Sequence, residues 1–583
     1  MSNHFRLRKG SEVSVLTNQT VPIAQRLIHA ISVFSVFSTS AMLGFVFIQA
    51  PRVPFVKNTG EAYMRPVERQ ESAELDKYGG YKKVTGQATG YWHLETINDK
   101  NAFIDPLGNA FTMIGMVKTR RGNYDDSAYQ AQYAGHGSQW ARETSLFLTN
   151  TLGMNTLADR SEHTEFKKPF VQKMPYMVLA NFLSPEAPRE EAEWPDPWSL
   201  EYLTKVQTES ATLSRLYGSD PYLVAIKPFN ETNINLRNPD GTENPWADWW
   251  HVLIDPQYGH TAAQAKWIEF MTTRYNNNIT TLNEVYGTSL DSFSELEPLG
   301  LDLFDKFEEV TEEEEVAAEI VFADTVYWTA DFYGEANRVI AQELKAVMPN
   351  VLISTEGFRN GIVEYPILQA IGSSTDFTIL NYYVSAEEGT PNKDYVNSYA
   401  EPSGNPVLIG EFSFTGDPCS LSNDGATYPH VATQTDRAEA YLKYRNAALL
   451  IPSVIGVNWN ELVDAPIHDG TREYDCTYVN FGFQDRQLQP YTEMITAGGD
   501  RWFNFDTIRW SEVTSQGDIP NAFGSVNLTP INSRKKPRFY VDPVVNTGAD
   551  RMKWYKIDPL NPKADPPFTM QTRVGIQKMF NDF

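Results

Sequence analysis

Eight short apolar runs recur along the chain, most of them separated by stretches with helical periodicity. They are Phe111 to Met116, Met154 to Ala158, Pro175 to Asn181, Leu223 to Phe229, Val351 to Glu356, Thr375 to Leu380, Pro406 to Glu411 and Val454 to Trp459. Runs such as Val407-Leu408-Ile409 are rich in branched residues and lack alternation, which suits strands covered on both faces, as in a parallel sheet. Eight such strands joined by helical segments fit a closed (β/α)8 TIM barrel, of class α/β, better than an open doubly wound sheet. No glycine-rich phosphate fingerprint follows any run, so no nucleotide cofactor is expected. Ahead of the barrel, Ala102 to Phe111 places two strand-like runs around Asp105-Pro106-Leu107-Gly108, the turn chemistry of a hairpin.

Several of the runs end in carboxylates. The fourth continues as Lys227-Pro228-Phe229-Asn230-Glu231 and the seventh as Gly410-Glu411-Phe412, while Glu356 and Glu461 stand at the ends of the fifth and eighth. In a barrel of this type the C-terminal rim carries the chemistry, so Glu231 and Glu411 would face whatever binds there. Paired carboxyl groups from different strands suit glycoside cleavage. One donates a proton to the leaving oxygen, and the other attacks the anomeric carbon or activates water. Asn230 directly before Glu231 resembles the arrangement of barrel glycosidases in which the Asn holds a sugar hydroxyl and the Glu is the acid/base. Tyr382 or Tyr383, after the sixth strand, is placed to hydrogen-bond a carboxylate on the seventh. Trp459, and Trp246 in the loop after Glu231, are expected as platforms for sugar rings, and Glu461 as a partner for a sugar hydroxyl. Arg160 and Asn155 read as braces of the barrel. The nine histidines are scattered and form no His-x-His strand, so no metal site is expected.

Composition narrows the partners. A formal charge of −25 argues against nucleic acid, and 13% aromatic residues suit carbohydrate stacking as well as core filling. Two cysteines, Cys419 and Cys476, exclude a disulfide framework while leaving one bridge open. Leu27 to Ala50 is an uncharged, mostly apolar stretch preceded by Arg6, Arg8, Lys9 and Arg26. It reads as a signal-anchor or a signal peptide, with the rest of the chain outside the cytoplasm, either anchored or secreted. The expected organisation is a basic cytoplasmic tail at 1–26, the apolar segment at 27–50 and a linker at 51–88. A barrel domain at 89–500 and an irregular extension at 501–583 follow.

Longer stretches resemble a known family. Trp140 to Glu162, with Leu152-Gly153-Met154-Asn155-Thr156-Leu157, is similar to a segment of the agarase family, glycoside hydrolase family 50, and its barrel relatives. Lys266 to Leu296 resembles the helical region that follows in that family. Val407-Leu408-Ile409-Gly410-Glu411-Phe412-Ser413-Phe414 resembles its nucleophile strand. Val454 to Trp459, Asp464-Ala465-Pro466 and Phe481-Gly482-Phe483 resemble its eighth strand and closing segment. The resemblance implies retaining hydrolysis of β-linked galactans such as agarose, with Glu231 as acid/base and Glu411 as nucleophile. The chain departs from the family at Phe229, where Asp is usual, at Ser413, where His is usual, and at Asn458-Trp459-Asn460-Glu461, where His-Trp-Phe-Gln is usual. By the resemblance these positions are expected to face substrate, so they would bear on which sugar is cut more than on the reaction class. The expected activity is therefore cleavage of a neutral poly- or oligosaccharide. A non-catalytic carbohydrate-binding or cell-envelope protein on the same scaffold is the alternative.

Overall fold

The computed structural model describes residues 69, 71–121, 126–180, 182, 196–232, 234, 254, 259–296, 315–359, 361–384, 388–416, 429–466 and 478–511, together with three strands between 538 and 569. The apolar stretch 27–50, Trp246, Cys419 and Cys476 lie outside the described residues.

The ordered body opens with a four-stranded antiparallel sheet of β1 (Tyr81–Thr85), β2 (His93–Ile97), β3 (Lys100–Ile104) and β4 (Asn109–Phe111), in the order β1-β4-β3-β2. The expected hairpin is β3–β4. Its turn is held by Asp105 Oδ1, which accepts from the Leu107 and Asn109 amides at 2.8 and 3.1 Å. Gly108 takes φ +89 there, a conformation that disfavours any side chain. β1 falls within the 51–88 stretch read as a linker, so part of that stretch belongs to the sheet.

The barrel follows as β5 (Met113–Met116), β6 (Thr156–Leu157), β7 (Tyr176–Leu179), β8 (Leu223–Lys227), β9 (Leu352–Phe358), β10 (Phe377–Asn381), β11 (Val407–Phe412) and β12 (Val454–Trp459). All pair in parallel, and β12 closes onto β5. Each lies on one of the eight expected apolar runs, and every residue of β8, β9, β10, β11 and β12 is buried. The small sheet covers the end where the strands begin. The Asn101 amide donates to the Pro452 carbonyl at 3.0 Å, and Phe103 meets Phe377 edge-on with centroids 5.3 Å apart. That leaves the C-terminal ends of the strands as the face open to chemistry.

Between β8 and β9 run the helices Thr261–Arg274, Ile279–Tyr286 and Glu315–Val347. The helical periodicity of Thr261 to Tyr286 is divided between two helices. Asn276 and Asn277 adopt left-handed backbone at φ 51 and 53, and Asn278 Oδ1 then caps the second helix by accepting from the Thr280 amide at 3.1 Å. Asp324 of the long helix ties the bend together by accepting from the Tyr275 and Tyr286 hydroxyls at 2.6 and 2.8 Å.

At the other end of the body, Trp502, Phe505 and Arg509 are buried. Residues 501–511 therefore belong to the barrel body rather than to an extension. The strands Arg538–Asp542, Lys553–Ile557 and Phe568–Thr569 form a separate three-stranded antiparallel sheet. Among the described residues no helix is long and apolar enough to cross a membrane.

Candidate active site

Glu411 lies in β11, and its Cα pairs in register with that of Asn381 at the end of β10. Gly410 beside it has a packing reason. A Cβ there would stand 2.7 Å from Asn381 Oδ1 and 2.2 Å from Ile379 Cγ2, so only glycine lets β10 and β11 approach with Asn381 turned inward. Gly357 in β9 answers the same need. A Cβ on it would come within 2.7 Å of Asn230 Oδ1, 2.8 Å of Asn381 Oδ1 and 2.9 Å of Lys227 Nζ. The strand-end glycines thus make room for a polar cluster inside the barrel mouth.

That cluster is a belt of hydrogen bonds and ion pairs across six strand ends. Beyond β8, Glu231 accepts from Arg359 Nε at 2.8 Å through Oε2 and from Asn381 Nδ2 at 2.7 Å through Oε1. Lys227 Nζ donates to Asn230 Oδ1 at 2.5 Å and to Asp159 Oδ2 at 2.6 Å. An ammonium only donates, so this contact fixes which atom of the Asn230 amide faces inward and leaves Nδ2 on the other side. Arg160, after β6, pairs with Glu411 Oε1, while the Tyr383 hydroxyl donates to Glu411 Oε2 at 2.9 Å. Asn460 Nδ2 in turn donates to the Tyr383 hydroxyl at 2.7 Å.

Two members of the belt sit in left-handed backbone, Arg160 at φ 57 and Glu231 at φ 52. Such a conformation costs a non-glycine residue roughly 1–2 kcal/mol, so the surroundings must hold it. At Glu231 they do. Its amide donates to the Gly357 carbonyl at 3.2 Å, and Glu356 Oε2 accepts from both the amide and the hydroxyl of Thr232 at 2.7 and 2.6 Å.

The two glutamates differ electrostatically. Burial raises Glu411 above the ordinary carboxylate value; the Arg160 charge opposes that rise and the Glu231 charge adds to it. Burial also pushes Glu231 up, but the Arg359 charge and the Asn381 hydrogen bond outweigh it and leave Glu231 below the ordinary value. Asp159 is likewise held low against its burial by the Lys227 and Arg160 charges. Glu356 has no charge partner of comparable effect, and burial lifts it to about 7.

Of the residues expected from sequence, Glu231, Glu411, Asn230 and Tyr383 come together in this belt. Tyr382 does not join them through its side chain. Its ring packs on Tyr395 with centroids 4.7 Å apart and its hydroxyl accepts from the Asn392 amide, although its own amide donates to the Glu411 carbonyl at 2.8 Å. Trp459 is fully buried and corrects the expectation of a sugar platform. It sits outside the barrel wall among Phe412, Tyr441 and Phe483, and its Nε1 donates to the Phe481 carbonyl at 2.9 Å. Glu461 is also fully buried, with Lys118 Nζ 3.4 Å from Oε1, so it faces an ammonium rather than the open side of the rim. Trp246 falls outside the described residues.

Arg160, read from sequence as a brace, pairs directly with Glu411, and Asp159, Lys227, Asn381 and Arg359 were not singled out. Lys227 carried a usable signal, since it is a charged residue inside an otherwise apolar strand and is 1% exposed. Among the described residues no group of His, Cys, Asp and Glu is arranged to hold a metal ion.

No protein-family model and no curated sequence matches this chain. Solved structures do match. An exo-beta-agarase aligns over 76% of this chain and 69% of its own, with a TM-score of 0.58 and 19% identity. The agarase AgWH50C aligns over 76% and 68%, at 0.59 and 19%. PfGH50B aligns over 77% and 70%, at 0.59 and 18%. At such identity the likeness is one of fold, and the barrel is that of these agarases in a divergent sequence. The resemblance drawn from the sequence motifs points to the same group.

Proposed function

We propose that the protein is a glycoside hydrolase that cleaves β-glycosidic bonds in a neutral poly- or oligosaccharide by a retaining mechanism. An agarose-type galactan is the leading candidate. The observation that carries this reading is the pairing of Glu231 with Glu411 through one belt of buried polar groups at the C-terminal rim.

The roles are those the resemblance implies, with Glu411 as nucleophile and Glu231 as acid/base. Glu411 attacks the anomeric carbon, and the glycosidic bond breaks as the Glu231 proton passes to the departing oxygen. A covalent glycosyl-enzyme forms on Glu411. Glu231 then takes a proton from water, and that water releases the sugar with its original configuration. Arg160 and Tyr383 hold both oxygens of Glu411, which orients the attacking carboxylate and stabilises its charge. Asn230, its carbonyl oxygen engaged by Lys227, presents Nδ2 to a sugar hydroxyl. The ionic groups around the mouth balance: Arg160, Lys227, Arg359 and Lys118 against Asp159, Glu231, Glu411 and Glu461. That balance supports an uncharged substrate. The basic flank and apolar stretch before residue 51 support export, either anchored or secreted.

The test is hydrolysis of agarose, porphyran, carrageenan, β-galactosides and β-glucans by the wild type, Glu231→Gln and Glu411→Gln. One substrate should be cut, with retained anomeric configuration in the first product, and each substitution should lower kcat at least about 10³-fold. A protein that binds a polysaccharide and cuts none would instead be a carbohydrate-binding protein. The hold of Arg359 on Glu231 would suit that reading if the contact persisted with sugar bound.

A further inference from the structure

The proton that Glu231 gives to a leaving group must sit on an oxygen that faces the open rim. Oε1 does not qualify, because it is engaged by Asn381, which is 1% exposed and lies inside the mouth. Oε2 is the outward oxygen, and Arg359 Nε occupies it at 2.8 Å. A glycosidic oxygen approaching Oε2 meets the guanidinium first.

Arg359 is built to leave. Its side chain is 56% exposed, against 20% for Glu231. The backbone two residues on is fastened: the Gly361 amide donates to the Tyr395 hydroxyl at 2.9 Å, and the Gly361 carbonyl accepts from Tyr395 and Tyr399 at 2.8 and 2.9 Å. The side chain of Arg359, more than half exposed, has solvent to swing into while Gly361 stays fastened.

We propose that Arg359 is a positioning residue on the leaving-group side, a counter-ion that keeps Glu231 ionised in the free site and is displaced when a sugar occupies that side. The inference rests on reading Glu231 as the acid/base. It deepens that reading by making acid catalysis conditional on occupancy beyond the scissile bond. The charged and polar groups facing Glu231 are Arg359 from the end of β9, Asn381 from β10, Arg160 from beyond β6 and Glu411 from β11. Of these, only Arg359 is exposed. Removing it lets burial and the Glu411 charge hold the proton on Glu231. That is the state a proton donor needs.

The experiment has two arms. The first titrates carboxyl carbons by ¹³C NMR in the ligand-free protein labelled at glutamate, with Glu231→Gln assigning the Glu231 signal. In Arg359→Ala the Glu231 midpoint should rise by about 0.3–0.7 pH unit, the equivalent of a two- to fivefold change, and Arg359→Lys should restore most of the low value. A midpoint that does not move overturns the proposal and leaves the hydrolase reading standing.

The second arm measures pH profiles on the polysaccharide that the panel identifies. In the free wild-type enzyme Glu231 titrates below Glu411, so Glu231 sets the acid limb of kcat/KM, and that limb should lie at lower pH than the acid limb of kcat, set by the complex. Arg359→Ala should move only the kcat/KM limb upward, closing the gap, and should lower KM about two- to fivefold, as expected for loss of a competing exposed ion pair. If both limbs move together, Arg359 stays on Glu231 in the complex and the proposal fails. If no polysaccharide in the panel is cut, the hydrolase reading itself falls, and displacement falls with it.

Discussion

Tyr383 shows how far single residues were legible. Its place after the sixth strand suggested a hydrogen bond to the seventh-strand carboxylate, and its hydroxyl does donate to Glu411 at 2.9 Å. Trp459 shows the opposite. Strand residues alternate faces, and Trp459 pairs in register with Phe412, the outward neighbour of the inward Glu411. Parity therefore sends the indole to the helix layer and leaves Asn460, one residue on, to reach Tyr383. The sequence showed the tryptophan without its parity, because the strand end could not be placed to within one residue. A charge-assisted hydrogen bond is worth about 1.5–3 kcal/mol. Tyr383→Phe should accordingly lower kcat by about 10- to 150-fold with little change in KM. The sign of its pH effect is also set. The phenol donates to the ionised form of Glu411, and the nucleophile works only when ionised. In the complex, where Glu231 holds its proton, kcat is lost as pH falls through the Glu411 pKa, so removing the phenol should move the acid limb of the kcat profile upward. A limb that stays in place or moves down would mean that Tyr383 does not act on Glu411.

At the scale of elements, the eight strands were readable because both faces of each are buried, which leaves continuous apolar runs. The clasp after residue 500 was not, because a side chain holds it rather than a periodic pattern. Arg509 is 2% exposed. It donates to the carbonyls of Leu449 and Ile451 at the end of helix Gln434–Leu449, and to those of Pro452 and Asn101, at 2.6 to 3.1 Å. One guanidinium thus satisfies helix-end carbonyls and staples the small sheet to the barrel. Lys100 of β3 adds donations to the Arg509 and Ser511 carbonyls at 2.6 and 2.9 Å. The Pro452 and Ile451 carbonyls keep the Asn101 and Val454 amides at 3.0 Å, while each of the other two that is stranded without its donor costs about 1–3 kcal/mol, less than additively. Arg509→Ala should therefore destabilise the body by about 3–5 kcal/mol in a denaturant titration. Because the clasp is at the end opposite the rim, the KM of whatever folds should not change. A loss below about 1 kcal/mol would show that the clasp is dispensable.

Across the whole molecule, stability should depend on pH through carboxyls that no catalytic step uses. Burial raises Asp105 to about 8, Asp506 to about 7 and Asp464 to about 6, and it raises Glu356 of the Glu231 turn to about 7. Each keeps its proton in the fold at pH values where the unfolded chain, near 4, has lost it. The stability each proton supplies is complete below about pH 4 and disappears as pH rises through the folded value. His163 works from the other side. Burial lowers it to about 4, so the unfolded imidazole takes up a proton below about 6.5 and pulls the equilibrium towards unfolding as pH falls. The histidine effect is spent above about pH 6.5, which leaves the carboxyls alone between there and about pH 8. In that window the folded state binds more protons than the unfolded one, so the melting temperature should fall steadily from pH 6.5 to 8.5. Asp506→Asn should reduce the part of that slope near pH 7, which Glu356 shares, and leave the part near pH 8 to Asp105. A melting temperature that holds level or climbs across the window would mean that these carboxyls are ionised in the fold, and that the Arg69 charge beside Asp506 prevails over its burial.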